Sequence, residues 1–374
     1  MNYLFLASFN EIAQYALYIL LAVLVLLVMI TIHEFGHFIT GKIFGFGIEE
    51  FSIGFGPKIF GKTKKNGEKF SIRLIPLGGF CAFKGEDADD EDPSAFNNKK
   101  PWQRIIVLVS GAFMNYVLAL VAIIMMFGIY GSSALMVYKT DDNVVGPASS
   151  ASFYNKDVII TVEGKDVYLV TDVMNALSGK KSGEAVLFGL YRNGKFCDDY
   201  ITLKADADFK NLEDAETLCR VLGVYYEKEA DSDKIETGFR TTGIKFGFFK
   251  TIGRSFQYSF KLGGTVFTIF RQLFTGSLGI GSLGGTVTTI GVTANAIKTG
   301  GFWSLLNISA FIGVNLAVFN LLPFPALDGS RAVFVIIEWI RKKPLNRRVE
   351  GIIHTVGFLL IILFAVFVDL QRCF

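Results

Sequence analysis

The sequence predicts a polytopic α-helical membrane protein with four transmembrane helices, a membrane-associated β-hairpin or small sheet, and an extracytoplasmic α+β module. Three observations support this class. Hydrophobic residues make up 51% of the 374 and charged residues only 19%, and the mean hydropathy is +0.43, a balance too apolar for a soluble chain of this length. Four runs carry no charge, Ile12 to Ile32, Ile105 to Tyr130, Gly301 to Leu327 and Gly351 to Val368. Between the second and third, residues 137 to 204 change to short alternating segments separated by tight turns.

The first run has 21 residues, which at about 1.5 Å each crosses a hydrocarbon core of roughly 30 Å. Residues 1 to 10 hold no lysine or arginine, and the run is too long for a signal-peptide core, so the segment is expected to stay in the mature chain. Residues 1–38 are thus the first helix. Residues 39–103 form a β-rich, reentrant region on the cytoplasmic side, where "IEEFSIGFGPKIFGKTKKNGEKFSIRLIPLGGFCAF" alternates in short runs and Asn66-Gly67 signals a two-residue hairpin turn. An acidic stretch, "GEDADDEDPSAFNNKKPW", is a surface loop leading to the second helix at 104–130.

Residues 131–240 hold the module. "DVIITVEGKDV" reads as strand, turn, strand; "TDVMNALSG" has helical spacing and a glycine stop; "EAVLFGLYRNGKF" adds strands around Asn193-Gly194. Its order resembles a PDZ domain of the bacterial protease type, on the strength of Pro147-Ala148, Ala151, Asp157, Ile159 and Val162 to Gly164, although Ser152 and Lys156 stand where that pattern has glycine. Residues 241–300 form a connector in which Lys250, Arg254 and Lys261 recur at helical spacing among phenylalanines, as in a helix lying on a membrane. Residues 301–350 are the third helix and a basic cytoplasmic loop, and 351–374 the fourth helix and a short tail. Orientation follows the basic residues: residues 39 to 104 contain eleven lysines and arginines, and Arg331, Arg341, Lys342, Lys343, Arg347 and Arg348 follow the third run. Both segments belong inside, leaving the N-terminus and the module outside.

Chemistry concentrates in "LLVMITIHEFGHFITG", where His33, Glu34 and His37 form H-E-x-x-H at the polar end of the first run. Residues four apart share a helix face, so both imidazoles can hold one metal while Glu34, one step round, reaches a water on it. Zinc suits such a site, with three protein ligands and one open position; it lowers the acidity constant of a held water toward about 7, and the glutamate takes the proton. The alternative is a polar helix end snorkelling to headgroups. Against it, two of only three histidines lie in the motif, and ionisable groups inside a membrane are costly enough to imply function.

A third ligand is open. The metzincin extension fails, because Thr40 and Ile43 stand at its glycine and histidine positions. His354 is one candidate, with packing as its alternative, and Glu49, Glu50 and Glu68 lie in a polar loop. Asp328 is better placed, in "NLLPFPALDGSR", at the end of the third run. Two prolines break the helix there and free backbone groups at membrane depth, which is tolerated beside a cavity or site; the alternative is a plain helix stop.

Together these motifs resemble the site-2 protease family of intramembrane zinc metalloproteases, whose paired signatures are H-E-x-x-H and N-x-x-P-x-P-x-L-D-G, the second complete here as Asn320, Pro323, Pro325, Leu327, Asp328 and Gly329. "GFGP" at 54 to 57 and "PLGGF" at 76 to 80 are similar to its membrane-reentrant hairpin, "SGAFMN" at 110 to 115 to its second-span motif, and the layout with one outer PDZ module to the bacterial regulator-of-sigma-factor proteases. Departures are Ala112 in place of a proline, and "LGGTVTT" at 283 to 289. The resemblance implies zinc on His33, His37 and Asp328, Glu34 as general base, and substrate positioning by Asn320 and by Gly54, Phe55 and Gly56. It further implies a bacterial plasma-membrane enzyme that performs regulated intramembrane proteolysis near the cytoplasmic side. Its partners would be the lipid bilayer and single-span membrane proteins, such as anti-sigma factors or signal-peptide remnants.

Other classes fit less well. A metal transporter could place histidine and aspartate within spans, but no repeat of spans is present; an inactive pseudoprotease would not need every reactive residue. A net charge of +3 without a basic helix excludes nucleic-acid binding. "GIGSLG" at 279 to 284 follows no strand, so no nucleotide is expected. Cys81, Cys197, Cys219 and Cys373 form no C-x-x-C pair, and pairing of Cys197 with Cys219 is open.

Overall fold

In lipid an apolar segment must satisfy its backbone internally, and the first run does so as one long helix, α1, Phe9–Ile43. This computed structural model describes residues 9–86, 90–138, 152–206, 215–228, 235–276, 279 and 284–371. By its contacts the chain falls into two compact units, residues 1–125 with 259–374, and residues 126–258.

In the first unit α1 is followed by a curled hairpin of β1, Ile48–Thr63, and β2, Lys69–Phe83. The turn at Asn66-Gly67 closes through Gly67 N–H to Lys64 O, with Gly67 at φ 86°, the left-handed conformation for which glycine is suited. Each strand is long enough to bend and pair twice. Residues 48–53 pair with 79–83 on one side and with 69–72 on the other, while 58–63 pair with 69–73. Across the sheet the order is therefore 79–83, 48–53, 69–72, 60–63, with 79–83 outermost. The bend lies at Gly54 and Gly56, at φ 86° and 82°. A Cβ on Gly54 would come within 2.8 Å of the Ile75 carbonyl. Helix α2, Pro101–Tyr130, begins with proline at a position where its missing N–H costs nothing.

The unit at 126–258 centres on a six-stranded antiparallel sheet. Its strands are β3 (Ser132–Val137), β4 (Val158–Val162), β5 (Lys165–Asp166), β6 (Ala185–Arg192), β7 (Lys195–Thr202) and β10 (Phe239–Ile244), in the order β10-β3-β4-β6-β7 with β5 on β4. Helices α3, Val170–Leu177, and α4, Ala215–Leu222, cover it, and a small pair, β8 (Tyr226–Lys228) with β9 (Ile235–Thr237), stands apart. Val162, Val173, Leu177, Phe188, Ile201 and Leu218 are among the residues of its core. Buried Asp157 receives two bonds from Arg192, at 2.7 Å each. Lys156, which replaces a glycine of the PDZ pattern, adopts φ 74°, so the glycine-like conformation persists at a cost of about 1–2 kcal/mol. Pro147, Ala148 and Ala151 lie outside the described residues. Cys197 and Cys219 are free thiols.

The helix α5, Phe248–Thr275, runs on from this sheet. One face is buried at Arg254, Ser255, Tyr258, Ser259, Leu262 and Val266, while Phe249, Phe256, Phe260, Phe267 and Phe274 form an exposed stripe at spacings of four and seven. Next come α6, Thr286–Leu321, interrupted at Gly301 (φ 57°, ψ −139°), then α7, Asp328–Arg341, and α8, Arg347–Gln371. Among the described residues four helices are long and apolar enough to cross a membrane: Ile12–Ile43, Pro101–Tyr130, Thr286–Leu321 and Arg347–Gln371.

Three expectations change. The third run does not stay helical to Leu327: α6 stops at Leu321, because Pro323 and Pro325 lack the N–H a helix needs. Asp328 therefore opens a new helix. The basic segment after it is helix α7, whose Gly329, Ser330, Ala332, Val335 and Glu338 form a buried stripe while its charges face outward. Residues 241–300 are not one interfacial connector, for they hold the end of β10, all of α5 and the first half of α6. Most of "GIGSLG" lies outside the described residues.

Candidate metal centre

The helical spacing of His33 and His37 puts their rings on one face of α1, edge to face with centroids 4.8 Å apart. Both side chains are buried, and burial of polar rings is tolerable only where each nitrogen has a partner. Their Nε2 atoms approach to 3.2 Å, and Asp328 Oδ2 lies 2.9 Å from His33 Nε2 and 3.3 Å from His37 Nε2. Donors about 2.0–2.2 Å from one tetrahedral zinc lie roughly 3.3 Å apart. The three atoms thus have the chemistry and the spacing of a closed face on a zinc ion, and they are the one such group of three among the described residues.

Close backbone approach assembles this face. A Cβ on Gly36 of α1 would lie 2.8 Å from the Ser110 carbonyl carbon of α2. One on Gly111 would lie 2.7 Å from His37 Cε1 and 2.8 Å from His33 Cε1. One on Gly313 of α6 would lie 2.9 Å from Ala119 Cβ and 3.2 Å from Met29 Sδ. Three helices meet through small residues, the usual solution where lipid supplies no hydrophobic drive between helices. The histidine rings lie on the α2 backbone at Gly111, and His37 Nδ1 donates to Val107 O at 2.8 Å, which leaves Nε2 for the metal.

Asp328 reaches the histidines because the six residues after α6 turn the chain back. Within that loop Phe324 N–H bonds Leu322 O and Leu327 N–H bonds Phe324 O. Gly329 allows the turn, since its Cβ would lie 2.5 Å from the Leu321 carbonyl. At the first position of α7, Asp328 also sits on the positive end of a helix. His354 is not a ligand: its Nδ1 accepts the Ala326 N–H at 3.2 Å, and its ring meets Phe334 edge on. With Gly357, whose Cβ would lie 2.9 Å from the Pro325 carbonyl carbon, it braces the loop from α8.

A model of peptidase family M50 matches residues 21–364. The chain belongs to this family. Relatives extend over nearly its full length. A Clostridium perfringens protein whose name includes "zinc metalloprotease" is 34% identical, over 95% of this chain and 98% of its own. A Fusobacterium nucleatum protein similarly named is 31% identical over 94% and 97%. Zinc metalloprotease RasP of Bacillus licheniformis is 28% identical over 92% and 97%. As an M50 peptidase the chain is a zinc-dependent protease and a multi-pass membrane protein.

The remaining site candidates fall at different places in this M50 fold. Glu34 is half-buried on α1, facing the outermost strand of the hairpin, where a Cβ on Gly79 would lie 3.5 Å from Glu34 Cγ. Phe55, 44% exposed, stacks with Phe80 of that strand at 6.5 Å; Gly54 and Gly56 set the bend beside it. Asn320 is half-buried in the last turn of α6. Glu50 is taken by Ser71 and Arg73, and Glu68 by Lys42, Lys64 and Asn66, so neither joins the metal face. Motif spacing alone did not bring out Gly36, Gly111 or Gly313. The only signal for them was small residues inside apolar runs.

Proposed function

We propose that this chain is an intramembrane endopeptidase that cuts peptide bonds within transmembrane segments of single-span membrane proteins, such as anti-sigma factors or signal-peptide remnants. The observation carrying this is the convergence of His33, His37 and Asp328 on helices built to cross a membrane, with Glu34 between that face and a strand edge. His33 Nε2, His37 Nε2 and Asp328 Oδ2 hold zinc, which when bound acidifies water and polarises the scissile carbonyl. Glu34 accepts the proton of the attacking water and delivers it to the leaving amide nitrogen. The outer side of residues 79–83 receives the substrate, unwound into an extended strand, through backbone hydrogen bonds. Phe55, with Gly54 and Gly56, and Asn320 at the end of α6 hold that strand in line with Glu34.

The basic residues at 39 to 104 and 331 to 348 support a cytoplasmic placement of the hairpin and of α7, so products leave inward. The unit at 126–258 then lies outside as the PDZ-like module, gating access or recruiting a trimmed substrate. The phenylalanine stripe of α5 lies in the bilayer interface.

The test is cleavage of a labelled single-span reporter by the purified chain in lipid vesicles, with zinc content measured in parallel. Glu34→Gln should retain zinc and lose cleavage by several orders of magnitude. Unchanged cleavage in that variant overturns the mechanism, and metal uptake into vesicles without proteolysis points to transport instead.

A further inference from the structure

The "SGAFMN" stretch of α2 holds a residue that the chemistry above leaves unused. Asn115 is 0% exposed, and its Nδ2 lies 3.3 Å from His33 Nδ1. Its Oδ1 is buried with no hydrogen-bond partner, an omission that ordinarily costs about 1–3 kcal/mol. Such an orphan in a closely packed helix junction calls for an explanation.

The two metal-facing histidines are treated alike by α2. In each, Nε2 turns toward Asp328 and Nδ1 turns back to α2. His37 Nδ1 meets a backbone carbonyl, Val107 O, which can only accept, so His37 is fixed with its proton on Nδ1 and its Nε2 lone pair toward the metal. His33 Nδ1 meets an amide, which can do either. When Nε2 carries a proton toward Asp328 Oδ2, Nδ1 is an acceptor and Asn115 Nδ2 donates to it. When Nε2 faces a cation, the proton must sit on Nδ1. The amide then turns over and presents Oδ1, the atom that otherwise lacks a partner.

We infer that Asn115 is a positioning residue of the metal centre, whose side-chain oxygen accepts the His33 Nδ1 proton and so selects the tautomer that ligates zinc. This rests on the metal centre proposed above. The glycine four residues earlier explains the reach: with no side chain at Gly111 the His33 ring lies on the helix surface, at the height where Asn115, one turn on, can meet its far nitrogen.

The experiment uses the full-length chain in detergent and measures zinc affinity by chelator competition, together with the visible spectrum of the cobalt-substituted protein. Asn115→Asp keeps an acceptor at the same reach, and Asn115→Leu replaces the amide by an apolar group of similar volume. The expected result is a 10- to 100-fold loss of zinc affinity in Asn115→Leu, with an altered cobalt spectrum, and affinity at or above wild type in Asn115→Asp. A packing role predicts the reverse ranking, since it favours leucine over a buried carboxylate. Leucine binding zinc like wild type, or aspartate losing as much as leucine, overturns the inference. If the wild-type chain itself binds no zinc, the metal centre fails, and that outcome is separate. Should Asn115→Leu not fold, nitrogen-15 NMR of histidine in the zinc-loaded wild type decides. The chain has three histidines, and a His33 Nδ1 without a proton overturns the proposal.

Discussion

Replacing Gly111 by alanine adds one methyl group at the point where both histidine rings rest on α2. Its carbon would lie 2.7 Å from His37 Cε1 and 2.8 Å from His33 Cε1. Non-bonded carbons settle at about 3.5–4.0 Å, so each ring must retreat by about 0.8 Å. Neither ring is free to do so. His37 is tied to Val107 O, and α1 is held against α2 at Gly36, where backbone meets backbone. A functional site tolerates displacements of about 0.5 Å, and misplacement near 1 Å costs on the order of 100-fold in rate. Gly111→Ala should therefore lose roughly 10- to 100-fold in zinc affinity and about 100-fold in reporter cleavage, while the helices still insert. Gly128→Ala, on the same helix with open space around it, is the control; it should stay active and gain up to about 1 kcal/mol in helix propensity. Metal content by mass spectrometry and cleavage in vesicles read both variants. Wild-type zinc content and activity in Gly111→Ala would refute the close-approach argument.

Two other outcomes concern groups away from the metal. Glu338 is buried, and its carboxylate accepts from Arg104 at 2.7 Å, Arg347 at 2.9 Å and the Leu345 N–H at 2.9 Å; Glu338→Ala strands two guanidinium groups and should cost about 3–5 kcal/mol, seen as a lower Tm, whereas an unchanged Tm contradicts a buried network there. Burial pushes the Cys219 thiol up to about 11, so at pH 8 alkylation followed by mass spectrometry should label half-buried Cys197 first and Cys219 only on unfolding; equal labelling rates would count against that core.

The motifs were legible because their spacing maps directly onto local geometry. His33 and His37 share a helix face wherever the chain around them is helical, and Asn66-Gly67 and Asn193-Gly194 turn as their types require. Legibility failed where tertiary packing decides. Asp328 was expected at the end of a span and is found opening α7, because a proline-broken segment announces that a helix stops but not which element the chain enters next. The helix α7 itself was hidden by its six flanking basic charges, and its buried stripe is visible only once its packed face is known. His354 was a plausible ligand by residue type, yet its ring nitrogen serves the backbone of Ala326.

By itself the sequence determined the membrane character of the chain, through uninterrupted apolar runs, and the chemical kit of the site, through residue types at helical intervals. Both are local properties, readable from composition and a period of 3.6. Only the tertiary structure decided that Asp328, 295 positions along the chain, meets the histidines. It also decided that Gly36, Gly111 and Gly313 allow three helices to close around them, and that Asn115 stands behind His33. Those depend on which helix faces touch, and helix contacts in lipid rest on small residues and shape complementarity, which leave little trace in a single sequence.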